Sequence, residues 1–120
     1  MKSILIVEDD ITYGMMLKTW LGKKGFQVAS VSSIARAQKH LETEGADLIL
    51  SDLRLPDGDG IDLLRWMRKE GMMQPFIIMT DYAEVNTAVE SMKLGSLDYI
   101  PKRLVEDKLV PLLRSILKER

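Results

Sequence analysis

The chain of 120 residues predicts an α/β fold, a three-layer sandwich in which five parallel strands alternate with five helices. Three observations lead there. Short apolar runs recur at residues 4–7, 26–31, 48–50, 76–79 and 97–100, each bounded by Gly, Pro or Asp as buried strands are. The segments between them repeat apolar residues at helical spacing. Gly25, Gly45, Gly71 and Gly95 fall where the first four helices should stop. Strands buried on both faces and joined by helices imply parallel pairing, because parallel neighbours need long right-handed crossovers.

Each helix has its own justification. The first carries Tyr13, Met16, Leu17, Trp20 and Leu21 along one stripe. The second holds His40, the single histidine, on a polar face, where it has no partner for chemistry. Arg68 and Lys69, like Lys23 and Lys24, read as solvated helix ends that complement the dipole. Val85, Ala88, Val89 and Met92 mark the fourth helix, and Leu109, Leu112, Leu113 and Ile116 the fifth. Pro111 lies early in that last stretch, so this helix should start late or kink. Pro56-Asp57-Gly58-Asp59-Gly60 has calcium-like spacing, but turn chemistry accounts for it as a loop.

The length fits one domain spanning 1–120. With 17 Lys plus Arg against 18 Asp plus Glu, no basic field for nucleic acid exists. The absence of cysteine excludes disulfides, thiolate nucleophiles and Cys-based metal sites. No apolar run approaches the ~20 residues of a membrane helix, and the first strand begins too early for a signal peptide. A soluble cytoplasmic domain is the expectation.

In an open parallel sheet, ligands bind beyond the carboxyl ends of the strands. Glu8, Asp9 and Asp10 follow the first strand, Asp52 the third, Thr80 and Asp81 the fourth, and Lys102 the fifth. Acids gathered there cannot all ionise without compensation. Mg²⁺ suits such a cluster because it takes oxygen ligands, uses one or two carboxylates and leaves positions for phosphate; Mn²⁺ could replace it. A carboxylate is a competent nucleophile, and phosphoryl transfer needs positioning and charge neutralisation more than acid–base chemistry. Asp9 and Asp10 also suit helix capping, Asp10 best.

The segments I-L-I-V-E-D-D, S-D-L-R-L-P-D-G-D-G, I-I-M-T-D and D-Y-I-P-K, in this order and each at a strand end, resemble the receiver domains of two-component response regulators over essentially the whole chain. The resemblance implies a flavodoxin-like sheet of order 2-1-3-4-5 with Asp52 as phosphoacceptor. It further implies that Asp9 binds Mg²⁺ directly, Glu8 through water, and the main-chain carbonyl of Arg54 alongside them. Thr80 would bond a phosphoryl oxygen, Lys102 would pair with it, and Tyr99 would be the rotameric switch. Arg54 and Tyr82 occupy the positions that tune phosphoryl lifetime, with Asp10 and Asp81 as outer acids. The implied partners are a sensor histidine kinase or a histidine phosphotransfer protein. A phosphorylation-dependent homodimer through the face of fourth helix, fifth strand and fifth helix is also implied. Residues 87–95 resemble the fourth helix of receivers attached to nitrogen-regulation-type transcription activators. The chain is then either the amino-terminal piece of a longer regulator or a stand-alone relay receiver.

Two positions depart from that pattern. Arg103 follows Lys102 where the family has proline after a cis bond, which predicts a strained cis bond or a repositioned Lys102. Asp81 follows Thr80 where a small residue is usual. Competing functions fit less well. An aspartyl-nucleophile phosphatase would carry D-x-D-x-T, whereas Leu53 and Arg54 follow Asp52; a flavodoxin's phosphate would be repelled by Glu8-Asp9-Asp10. A degenerate receiver used only for contacts would lack the complete set of acids, Thr and Lys.

Overall fold

The computed structural model describes residues 2–81, 85–96 and 98–117. Five strands, β1 (Ser3–Val7), β2 (Gln27–Val31), β3 (Leu48–Asp52), β4 (Phe76–Thr80) and β5 (Asp98–Pro101), form one sheet. Its order is β2-β1-β3-β4-β5, with every neighbouring pair parallel, as the apolar runs predict. Five helices alternate with them: α1 (Ile11–Lys23), α2 (Ile34–Thr43), α3 (Gly60–Lys69), α4 (Val85–Lys93) and α5 (Val105–Leu117).

Strand periodicity divides the core. Ile4, Ile6, Leu48, Leu50, Ile77 and Met79 turn to one side, where Leu17 and Leu21 of α1 and Leu109 and Leu113 of α5 cover them. Leu5, Val7, Ile49, Phe76 and Ile78 turn to the other and meet Leu41 of α2 and Leu64 and Met67 of α3. Fully burying each such side chain contributes about 1.5–3 kcal/mol, so both layers hold the central strands. Gly25, Gly45, Gly71 and Gly95 all have positive φ, as the helix-stop reading requires.

Three details differ from expectation. A two-residue hairpin, Arg54–Leu55 against Gly58–Asp59, occupies the stretch read as a plain loop. Asp57 at its tip accepts hydrogen bonds from the N–H groups of Ile34 (2.9 Å) and Ala35 (3.0 Å), tying the hairpin to the start of α2. These bonds hold its carboxyl below the usual aspartate range. α5 starts at Val105, well before Pro111, rather than late. Pro111 lies on its exposed side, where water can satisfy the carbonyl its missing N–H leaves free. The apolar stripe of α4 is partly open, with Val89 and Met92 each about half exposed while Ser91 is buried.

The Arg68 guanidinium gathers four carbonyls, Met72 (2.8 Å), Gln74 (3.2 Å), Gly95 (3.2 Å) and Leu94 (3.3 Å), and so joins the loop after α3 to the end of α4. Arg65 of α3 also contacts Glu90 of α4 at the surface.

Candidate functional site

Register brings the strand ends together. Val7 pairs with Ser51, Asp52 with Met79, and Thr80 with Pro101, so Glu8, Asp52, Thr80 and Lys102 all emerge at one edge of the sheet. Asp52 is 7% exposed, Glu8 3% and Thr80 fully buried, while Asp9 and Asp81 are exposed. Carboxylate oxygens of Glu8, Asp9 and Asp52 lie within 4.8 Å of one another.

Lys102 is the cation among them. Its Nζ lies 2.6 Å from Glu8 Oε1, 3.2 Å from Asp52 Oδ2 and 3.8 Å from Asp81 Oδ2. The peptide bonds among the described residues are all trans, and Lys102 opens a 3₁₀ turn over Lys102–Leu104. Of the two expected alternatives the cis bond is not found, and from the trans backbone the Lys102 side chain spans the acids. Asp52 Oδ1 accepts the N–H of Leu53 at 2.7 Å, leaving its carboxylate oriented from both sides.

Burial is the chief cause that raises the Glu8 carboxyl to about 7, with the Asp52 charge adding to it and Lys102 opposing. Burial opposes the charge of Lys102, but the bonds and charges of Glu8 and Asp52 outweigh it and raise the ammonium above its ordinary value. Glu8 Oε1 is buried and meets Lys102 as a charge contact without a well-directed hydrogen bond. The buried Glu8 carboxylate shares the Lys102 ammonium with Asp52, and three carboxylates around one ammonium leave the excess negative charge that fits a hard divalent cation.

Asp10 caps α1 by accepting the Tyr13 N–H at 3.1 Å, in agreement with its predicted role. Arg54 stands exposed on the hairpin, and its guanidinium meets Asp59 at 3.4 Å. Tyr99 is half-buried on β5 and packs against the layer of α2 and α3. Tyr82 lies outside the described residues. Two contributors went unread in the sequence. The Tyr13 ring, expected only to fill the core, lies 4.7 Å from Lys102 Nζ, a cation–π distance. Gly60 lets the start of α3 approach the active strand, its N–H donating to the Leu53 carbonyl at 2.7 Å; a Cβ there would stand 2.4 Å from the Asp52 carbonyl oxygen.

The family model described as the response regulator receiver domain matches residues 4–114. Among curated proteins, the transcriptional regulatory protein ZraR of Escherichia coli K12 is 38% identical over 114 residues, covering 95% of this chain and 26% of that protein. The regulatory protein AtoC of the same strain is 39% identical over 107 residues, covering 88% of this chain and 23% of AtoC. The chain thus spans about a quarter of the length of these relatives. Among solved structures, the beryllofluoride-activated receiver domain of Klebsiella pneumoniae RstA superposes with a TM-score of 0.88 at 32% identity, covering 98% of this chain and 99% of that one. The non-phosphorylated receiver domain of HemR from Leptospira biflexa gives 0.88 at 33% identity over 100% and 98% of the two chains. With its sheet order, strand-end acids and lysine in place, the chain belongs to the receiver domain family of two-component response regulators.

Proposed function

We propose that Asp52 accepts a phosphoryl group from a phosphohistidine of a sensor kinase or histidine phosphotransfer protein, and that the whole chain, 1–120, acts as one receiver. The observation that carries this is the nearly buried Asp52 carboxylate between an acidic cluster and the Lys102 ammonium. A carboxylate oxygen of Asp52 attacks phosphorus, the phosphorus–nitrogen bond breaks, and the imidazole leaves, giving an acyl phosphate. Asp9, Asp52, the Arg54 carbonyl and, through water, Glu8 would hold Mg²⁺ or Mn²⁺, which supplies charge neutralisation to the moving oxygens. Lys102 would pair with a phosphoryl oxygen, and the Thr80 hydroxyl would bond another. Inward movement of Thr80 would make room for the Tyr99 ring and remodel the face of α4, β5 and α5, through which the domain would dimerise. The domain acts as a signalling module, with self-phosphorylation and self-dephosphorylation its only chemistry and no nucleic-acid or membrane contact of its own. The transcriptional regulators among its relatives support transcription as the output.

Incubation with acetyl phosphate and Mg²⁺ is expected to add one phosphoryl group by mass spectrometry, and chelator or Asp52→Asn to abolish it. Full labelling of the variant would overturn the assignment.

Lifetime should depend on Arg54 and Tyr82, since bulk beside the phosphate obstructs the in-line approach of water. Phosphate release from pre-phosphorylated protein should be about tenfold faster in the Arg54→Ala, Tyr82→Ala double variant. An unchanged or slower rate would refute shielding.

A further inference from the structure

Among the described residues β2 is an edge strand, paired with β1 alone. The Gln27 N–H donates to the Lys2 carbonyl and the Val31 carbonyl accepts from Glu8, both at 2.9 Å, so the backbone groups of residues 27, 29 and 31 face β1. Those of Val28 and Ser30 face the other way. An edge of this kind is a template for another strand unless covered. Between α1 and α2 a groove of about 1040 Å³ reaches β2 at Ser30 and Val31, and a smaller hollow of about 220 Å³ adjoins Gln27, Val28 and Ala29.

The walls have a consistent character. Lys18 and Lys23 of α1 and Arg36 and Lys39 of α2 line the groove, and among the described residues none makes an ion pair. Against these four cations stand Glu44 and, at the upper end, Glu8, which Lys102 already engages. Such an excess of positive charge is local, because the chain as a whole carries a net charge of -1. Ile11 and Met15 add an apolar lip on α1, 73% and 63% exposed.

We propose that this groove binds an extended acidic segment of a partner protein, which adds to β2 as a sixth strand. The five residues of β2 span about 17 Å, enough to pair with a strand of similar length. Main-chain bonds to Val28 and Ser30 supply the attachment, and alternate acidic side chains reach the lysines and arginine of the walls. A second copy of this chain is disfavoured as occupant, because pairing β2 with β2 would bring both sets of cations together. A nucleic-acid strand would use the cations but leave the edge amides and apolar lip unmatched. The proposal does not depend on phosphorylation of Asp52.

The probe is an acetylated peptide of about eight residues alternating Val and Glu, titrated into the ¹⁵N-labelled protein. Chemical-shift changes should centre on Val28, Ser30 and the facing sides of α1 and α2, with slowed amide exchange at Val28 and Ser30. The Arg36→Glu, Lys39→Glu double variant, altered only on the exposed face of α2, should weaken binding about tenfold. Raising salt from about 0.05 to about 0.5 M should weaken it similarly. A peptide N-methylated on its pairing edge should lose binding while keeping its charge. Equal binding of the N-methylated peptide, or shifts centred on the Asp52 cluster, would overturn the proposal. So would an oligonucleotide binding this groove more tightly than the peptide, or protection of the β2 amides by self-association without peptide.

Discussion

Gly60→Ala is expected to destabilise the fold by about 3 kcal/mol, near the upper end of single-substitution effects. The added Cβ would stand 2.4 Å from the Asp52 carbonyl oxygen and 3.0 Å from Ser51 Oγ. The first obstacle is backbone of the central strand, so relief requires moving either β3 or the start of α3. Gly22 is the internal comparison, since it sits in a helix with nothing within 4 Å of its Cβ position. Gly22→Ala should stabilise by about 0.5–1 kcal/mol through helix propensity alone. Urea unfolding of both variants checks the contrast. A Gly60→Ala protein within about 1 kcal/mol of the parent would mean the approach of α3 to Asp52 is not constrained.

Lys102→Met should cost about 2 kcal/mol in metal-free protein near pH 8, because it leaves the buried Glu8 and Asp52 carboxylates without their cation. The cost should shrink toward pH 5. Glu8 has a folded pKa of about 7 against an ordinary 4.5, so the folded state holds a proton in that window that the unfolded state releases. Stability of the parent from this group is therefore present at low pH and declines as pH rises from about 4.5 through 7. Lys102, with its pKa raised above an already high value, stays charged throughout. Removing it pushes Glu8 further up and steepens the decline. Millimolar Mg²⁺ should flatten both profiles by favouring ionised Glu8. Urea midpoints across pH, with and without Mg²⁺, test this; a pH-independent gap would show that Lys102 contributes packing alone.

The strands were legible because a parallel strand covered on both faces must be apolar at nearly every position, as in Leu48, Ile49 and Leu50. The strand-end residues followed from the same logic, since Asp52 and Lys102 each come two residues after the end of such a run. Contacts fixed by tertiary placement were not legible. Asp57 caps a helix 23 residues earlier in the chain, and Tyr13 reaches Lys102 across 89 residues. Nor does periodicity distinguish a core-facing stripe from one left partly open, which is why Val89 and Met92 of α4 could not be placed from spacing. The Lys102–Arg103 bond shows the opposite limit: a family habit at one position did not transfer, because the trans chain delivers the same ammonium to the same acids.

The four carbonyls held by Arg68 give α4 a fulcrum. Two of them, Leu94 and Gly95, end that helix, and the other two, Met72 and Gln74, belong to the loop leading into β4. Any displacement of α4 that keeps these bonds is a rotation about its carboxyl end, and the arc swept grows toward Val85, about 14 Å away along nine residues. The surface contact between Arg65 and Glu90 lies partway along this lever, exposed and inexpensive to break, and its loss requires no change at the fulcrum.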